Sequence, residues 1–195
     1  MSKPDVVVLL SGGLDSTTLA HLAMRNGRLA FVLSFYYGQP AAMWEGHAAG
    51  EWARTHKVIR NVVTVEYPDV TPMELGEGAS GPRVLPGRNL LLCAYGVAWA
   101  ATWGAKEVWI GACADDYPDY ADCRGQFLAD LSRASEVYGV TVRAPLLTYT
   151  KAGIVALARD LGVDIGATWS CYEPGRSSVP CGKCNACVLR ASVLG

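Results

Sequence analysis

Five apolar residues, Val6-Val7-Val8-Leu9-Leu10, run without a polar break into Ser11-Gly12-Gly13-Leu14-Asp15-Ser16-Thr17-Thr18. The pattern reads as a buried strand emptying into a glycine turn and the start of a helix. Such a junction suits phosphate. The glycines let the backbone approach an anion closely, the N–H groups of the first helical turn point at it, and Ser11, Ser16 and Thr17 add hydroxyl donors. A Walker loop requires GxxxxGK[ST]. No lysine stands here to reach the terminal phosphates, so cleavage between the β- and γ-phosphates is disfavoured. The plain alternative is an ordinary strand-turn-helix with a Ser or Asp cap.

Short Val- and Ile-rich runs alternate with longer amphipathic stretches, the pattern of repeated βα units around a mainly parallel sheet. Strands are expected near residues 6–10, 29–35, 57–63, 107–111 and 141–144, and helices near 16–25, 41–55, 89–103, 124–138 and 151–161. Residues 67–86 are rich in Gly, Pro and acidic residues and have neither period, so they read as a loop, free to move before substrate arrives. In open sheets of this kind ligands sit beyond the carboxyl ends of the strands. The glycine turn, Tyr37-Gly38-Gln39 and residues 113–116 would all lie on that edge and could form one pocket.

With 195 residues, 51% of them hydrophobic, the chain can fill one core. The expected division is a nucleotide-binding catalytic domain over 1–166 and a small metal-binding appendage over 167–195. A net charge of −1 removes any global basic field, so a small substrate is a better expectation than a large RNA. The N-terminus fits neither a secretion signal nor a membrane span, which points to the cytoplasm. Seven cysteines in that compartment are not expected to form a disulfide framework. Four of them, Cys171, Cys181, Cys184 and Cys187, have spacing that can close a tetrahedral zinc site. A cage made only of sulfur leaves no position for water, so the reading is structural, with an iron–sulfur cluster as the competing metal. Cys93 lies in an apolar helical stretch and reads as packing, while Cys113 and Cys123 flank a polar cluster. His21, His47 and His56 fall in helices or at their ends and read as surface residues.

Two further stretches carry polar chemistry at strand ends. In Leu85-Pro86-Gly87-Arg88-Asn89, Arg88 and Asn89 begin an apolar helix, where Arg can pair a carboxylate or phosphate through two hydrogen bonds. The alternative is a cap and a solvated charge. In the stretch from Ala114 to Arg124, carboxylates interleave with tyrosines, which suits a flat heterocycle: rings stack on it and carboxylates accept from its N–H groups. A solvated acidic loop is the alternative. Lys151, at a helix start, either reaches a phosphate or is a surface lysine.

SGGLDS resembles the PP-loop of the ATP pyrophosphatases, which hold the pyrophosphate end of ATP while AMP is transferred to a carbonyl oxygen. The order SGGLDSTT, YGQ, PGRN, GACADDYPDYADCR, PLLTYTK and TWSCY followed by CGKCNACVLR resembles one family over nearly the whole chain, the 7-cyano-7-deazaguanine (preQ0) synthases of queuosine biosynthesis. The resemblance implies a Rossmann-like PP-loop α/β fold with a five-stranded sheet. It implies an ATP-dependent carbon–nitrogen ligase that converts 7-carboxy-7-deazaguanine to the nitrile with ammonia and ATP, binds zinc and forms a homodimer. On this chain ATP would be held by Leu10, Ser11, Gly12, Gly13, Leu14, Asp15, Ser16 and Thr17 with Tyr37 and Gln39. Asp15 would help place Mg2+. Arg88 and Asn89 would steer the substrate carboxyl or the α-phosphate, Lys151 would reach a phosphate, and Asp115, Asp116, Tyr117 and Asp122 would read the deazaguanine. No membrane and no stable nucleic-acid partner is expected, although PP-loops with cysteines also occur in tRNA-thiolating enzymes. A nucleotide sensor without turnover is the non-enzymatic alternative.

The chain departs from the family where an FDYGQRH-like block follows the second strand: Tyr36 replaces an Asp, and Pro40-Ala41 replaces a basic pair. A reaction that stops at the amide, or that joins another amine, is the variant this allows. Ammonia would come from solution or from a separate partner.

Overall fold

A computed structural model describes residues 3–67, 85–174 and 179–194. Strands β1 (Val6–Leu9), β2 (Leu29–Tyr36), β3 (Arg60–Thr64), β4 (Glu107–Trp109) and β5 (Thr141–Arg143) alternate with helices α1 (Leu14–Arg25), α2 (Ala42–His56), α3 (Arg88–Trp103), α4 (Gly125–Ser135) and α5 (Lys151–Asp160), and α6 (Asn185–Leu194) follows. The strands form one parallel sheet in the order β3-β2-β1-β4-β5. The chain therefore builds outward from β1 on one side and then returns to the other. The reversal leaves a crevice beyond the carboxyl ends of β1 and β4.

The apolar run of β1 is buried on both faces because the sheet is covered on both. Val6, Val8 and Leu10 pack with α1, α2 and α5, while Val7 and Leu9 pack with Phe31, Leu33, α3 and α4. Each such side chain, once buried, contributes about 1.5–3 kcal/mol. Cys93 is wholly buried in the second of these cores, as its apolar setting implied. Val193 and Leu194 of α6 pack against the first core, so the C-terminal helix is seated beside α5.

Several boundaries move. The strand expected from residue 57 begins at Arg60, because Lys57 adopts φ 55° as the left-handed cap of α2 and Val58 N donates back to Ala53 O at 2.9 Å. A glycine would have marked that cap, and a lysine does not. Helix α1 starts at Leu14 rather than at residue 16, and α3 starts at Arg88. The stretch expected as one helix to residue 138 leaves α-geometry after Ser135 and ends in a 3-10 turn, Glu136–Tyr138. The histidine expectation is corrected for two of three residues. His47 is exposed, but His21 and His56 are half-buried against Trp52, with the His56 ring stacked on the indole at 4.7 Å. The mobile-loop expectation falls mostly on residues 68–84 and part of the linker to Cys181 on 175–178, both outside the described residues.

Candidate active site

Gly12 has φ +84°, and a Cβ there would lie 2.7 Å from Glu45 O and 2.8 Å from Ala49 N. The turn is thus pressed against α2 in a conformation that only glycine adopts without strain. Its carbonyl accepts the Trp169 N–H at 2.9 Å. Gly13 caps α1, whose first-turn N–H groups have no intrahelical acceptor. Ser11 Oγ and Ser16 Oγ lie 3.0 Å apart, Ser11 N donates to Ser16 Oγ and Gly13 N to Ser11 Oγ. These are the groups that phosphate oxygens would engage. Leu10 and Thr17 are buried beside them, and Leu14 lines an adjoining hollow with Lys151 and Arg190.

Lys151 heads α5 and returns to the turn across 136 residues of sequence, its Nζ donating to Asp15 Oδ2 at 2.6 Å. The same ammonium lies 3.2 Å from Asp116 Oδ1. Burial alone would lower the lysine, but the carboxylates of Asp15 and Asp116 outweigh it and hold the ammonium above its ordinary range. Burial likewise pushes the Asp15 carboxyl up, against the pull of Lys151. Cys113 completes this cluster, and its thiol, like that of Cys123, is pushed up to about 12, first by burial and then by Asp116. Both thiols are neutral near pH 7, so neither is an activated nucleophile.

From the turn a cavity of about 220 Å3 extends to Arg88, Asn89, Tyr120 and Tyr172 on one side and to Ser34, Tyr36 and Arg60 on the other. Of the expected site residues, it brings together Leu10, Ser11, Gly13, Asp15, Ser16, Tyr37, Gln39, Arg88, Asn89 and Asp116. Gln39 closes the loop after β2, accepting from Tyr37 N at 2.9 Å and donating to Glu45 Oε2 at 3.0 Å. The cavity lining does not include Asp115, Tyr117 or Asp122. Asp115 accepts the Lys151 backbone N–H at 2.5 Å and so caps α5. Asp122 accepts Asn89 N at 3.1 Å at the start of α3, where a negative charge meets the helix dipole. Tyr117 is 53% exposed, with the Arg124 guanidinium over its ring.

Sequence reasoning missed Ser34, Glu45, Arg60 and Tyr172, whereas Tyr120 belongs to the tyrosine-bearing stretch it had singled out for ring stacking. Arg60 Nε donates to Ser34 Oγ at 2.8 Å, Ser34 Oγ donates to Leu10 O at 2.7 Å, and Arg60 Nη2 is buried without a hydrogen-bond partner among the described residues. Glu45 is raised by burial, opposed by Gln39 and Arg88. Only Tyr172 had a cue, since it directly follows Cys171. The Tyr36 hydroxyl lies 2.0 Å from where a Cβ on Gly46 would stand, so the departing residue fits only because α2 offers a glycine there.

The thiols of Cys171, Cys181, Cys184 and Cys187 lie within 4.8 Å of one another. Cys181 Sγ and Cys187 Sγ are 4.0 Å apart, close to the ~3.8 Å edge of a tetrahedron with metal–sulfur bonds of ~2.3 Å. Cys181 N donates to Cys171 Sγ and Cys184 N to Cys181 Sγ, both at 3.3 Å. Burial raises the Cys181 thiol, but the backbone N–H groups of Lys183 and Cys184 outweigh it and bring it down to about 7. The donor set fits a thiolate-bound metal, and none of the seven cysteines is disulfide-bonded.

A parallel sheet reversing beside β1, with a glycine turn under a lysine–carboxylate cluster and a four-cysteine unit, defines an α/β protein of the PP-loop class. The ammonia-dependent NAD synthetase of Campylobacter jejuni shares the fold, with a TM-score of 0.53 at 17% identity, over 86% of this chain and 68% of that one. The family model described as queuosine biosynthesis protein QueC matches residues 5–194, and the chain belongs to that family. The 7-cyano-7-deazaguanine synthase of Frankia casuarinae is 38% identical over 96% of this chain and 88% of its own length. That of Pseudomonas fluorescens is 38% identical over 97% and 90%.

Proposed function

We propose that the chain is an ATP-dependent ligase that converts 7-carboxy-7-deazaguanine to 7-cyano-7-deazaguanine, using ammonia and releasing AMP and pyrophosphate. The observation that carries this reading is the single cavity that joins the glycine turn to Arg88, Asn89 and Asp116. A carboxylate has no good leaving group, and adenylation supplies one. A carboxylate oxygen attacks the α-phosphorus and pyrophosphate leaves. Ammonia attacks the acyl carbon, AMP departs with that oxygen, and loss of a proton leaves the amide. The amide oxygen then attacks a second α-phosphorus, pyrophosphate leaves again, and loss of two N–H protons with AMP gives C≡N.

Ser11, Ser16 and the amides after Gly13 would hold the β- and γ-phosphates, and Lys151 would turn from Asp15 toward the phosphate bearing developing charge. Arg88 would steer the carboxyl. Tyr37 and Tyr120 offer ring faces, and Asp116 offers a carboxylate, to the heterocycle. Asp15 suits a hard divalent cation such as Mg2+, which when bound would neutralise phosphate charge. The four cysteines would hold zinc and fasten residues 167–195 to a catalytic unit over 1–166. We assign the chain to the cytoplasm, consistent with its free thiols, and to a homodimer. Among the described residues no helix is long and apolar enough to cross a membrane.

The test is to incubate the protein with ATP, Mg2+, ammonium and the acid and to follow nucleotide and base by mass spectrometry. AMP with nitrile is expected. ADP would contradict the phosphate-turn argument, and AMP with amide alone would contradict the second activation.

A further inference from the structure

We propose that Tyr172 is a wall of the substrate site whose position is set by the four-cysteine cluster, so that the metal state of the cluster governs how tightly the carboxylated base is held. This deepens the reading above and rests on it. Tyr172 lines the cavity at the glycine turn, the smaller hollow beside Arg88 and Pro40, and the hollow beside Lys151 and Arg190, so it stands where three spaces meet. Tyr120 lines the same cavity beside it.

The segment leading to it is pinned at several points of different kinds. Trp169 N donates to Gly12 O at 2.9 Å, and the Trp169 ring stacks on Trp44 at 5.3 Å. Arg190 of α6 donates to Thr168 Oγ1 at 2.8 Å and to Ser170 Oγ at 2.9 Å. These contacts hold residues 168–170 without help from a metal. Cys171 is the next residue, buried and inside the thiol cluster, and Tyr172 comes directly after it. Consecutive Cα atoms are ~3.8 Å apart, so fixing the Cys171 sulfur leaves the Tyr172 backbone little room to move. Loss of the metal would release the tyrosine while the phosphate turn stays tied to Trp169. Base binding should therefore depend on the cluster more than nucleotide binding does.

The experiment measures binding of 7-carboxy-7-deazaguanine and of ATP by calorimetry to metal-loaded wild type, to chelator-stripped wild type checked for native circular dichroism, and to metal-loaded Tyr172→Ala and Tyr172→Phe. Expected is at least a tenfold weaker affinity for the base after stripping and in Tyr172→Ala, with ATP affinity changed less than threefold. Tyr172→Phe, which keeps the ring, should recover most of the loss. In turnover the alanine variant should raise KM for the base more than it lowers kcat. Binding couplings are reciprocal, so bound base should slow metal loss to a chelator by a similar factor in wild type and not in Tyr172→Ala. If stripping unfolds the chain, the alanine variant and the metal-release rates decide. Base affinity indifferent to the metal or to Tyr172→Ala, or metal release indifferent to the base, overturns the proposal alone. A loaded wild type that binds ATP but not the base overturns the substrate reading as well.

Discussion

Lys151 sits 2.6 Å from Asp15 and 3.2 Å from Asp116, with only 14% of its side chain exposed. Removing one partner of such a group leaves uncompensated buried charge, which in comparable pairs costs about 3 kcal/mol. Lys151→Met should lower the unfolding free energy by that order in urea titrations and also slow AMP release. A variant as stable as wild type would show that the ammonium only decorates the surface. His21 makes a prediction in pH. Burial, then the neighbouring His56, lowers its pKa in the folded state, so the unfolded chain takes up the proton more readily. Stability from this residue is therefore complete above about pH 6.5 and falls as the pH drops below it, by less than about 1.4 kcal/mol per unit. The difference in urea midpoint between pH 7.5 and 5.5 should shrink in His21→Phe. An unchanged difference would contradict the assignment. Sequence reading caught Asp15 and Lys151 separately but not their pairing, because the contact spans most of the chain and no local pattern encodes it.

At the scale of elements, α2 and the glycine turn have one tight contact that chain pattern alone could not reveal. Gly12→Ala would force a left-handed conformation and push its Cβ into the backbone of α2. A loss of about 2 kcal/mol or more is expected, with weaker ATP binding, measured by thermal unfolding and calorimetry. Tyr36 and Gly46 form a second pair across β2 and α2. Gly46→Ala should destabilise the wild type by about 1–3 kcal/mol, and much less in a Tyr36→Ala background, as a double-mutant cycle would measure. Additive effects would mean that the ring and the helix do not compete for space. The strands and helices were legible where apolar period and glycine punctuation agreed, as in β1 and the turn after it. They were misplaced at Lys57, where a lysine does a glycine's work, and at Ser135, where the helix tightens into the 3-10 turn Glu136–Tyr138 with no glycine or proline at the change to mark it.

For the molecule as a whole, the reversal of strand order places the ends of β1, β2 and β4 around one cavity, and α6 lines an adjoining hollow beside Lys151. The candidate site was legible where residues sit next to the turn or at a helix start, as Ser11, Asp15 and Arg88 do. It was not legible where a carboxylate serves the scaffold instead: Asp115 caps α5 and Asp122 holds the start of α3, roles that depend on which helices lie nearby. The most direct test of the account is to supply the acid labelled with oxygen-18 in its carboxyl group and to follow the label. Adenylation transfers one labelled oxygen to each AMP, so both should appear in AMP and none in pyrophosphate or in the nitrile. Label in inorganic phosphate, or AMP formed without label, would contradict it.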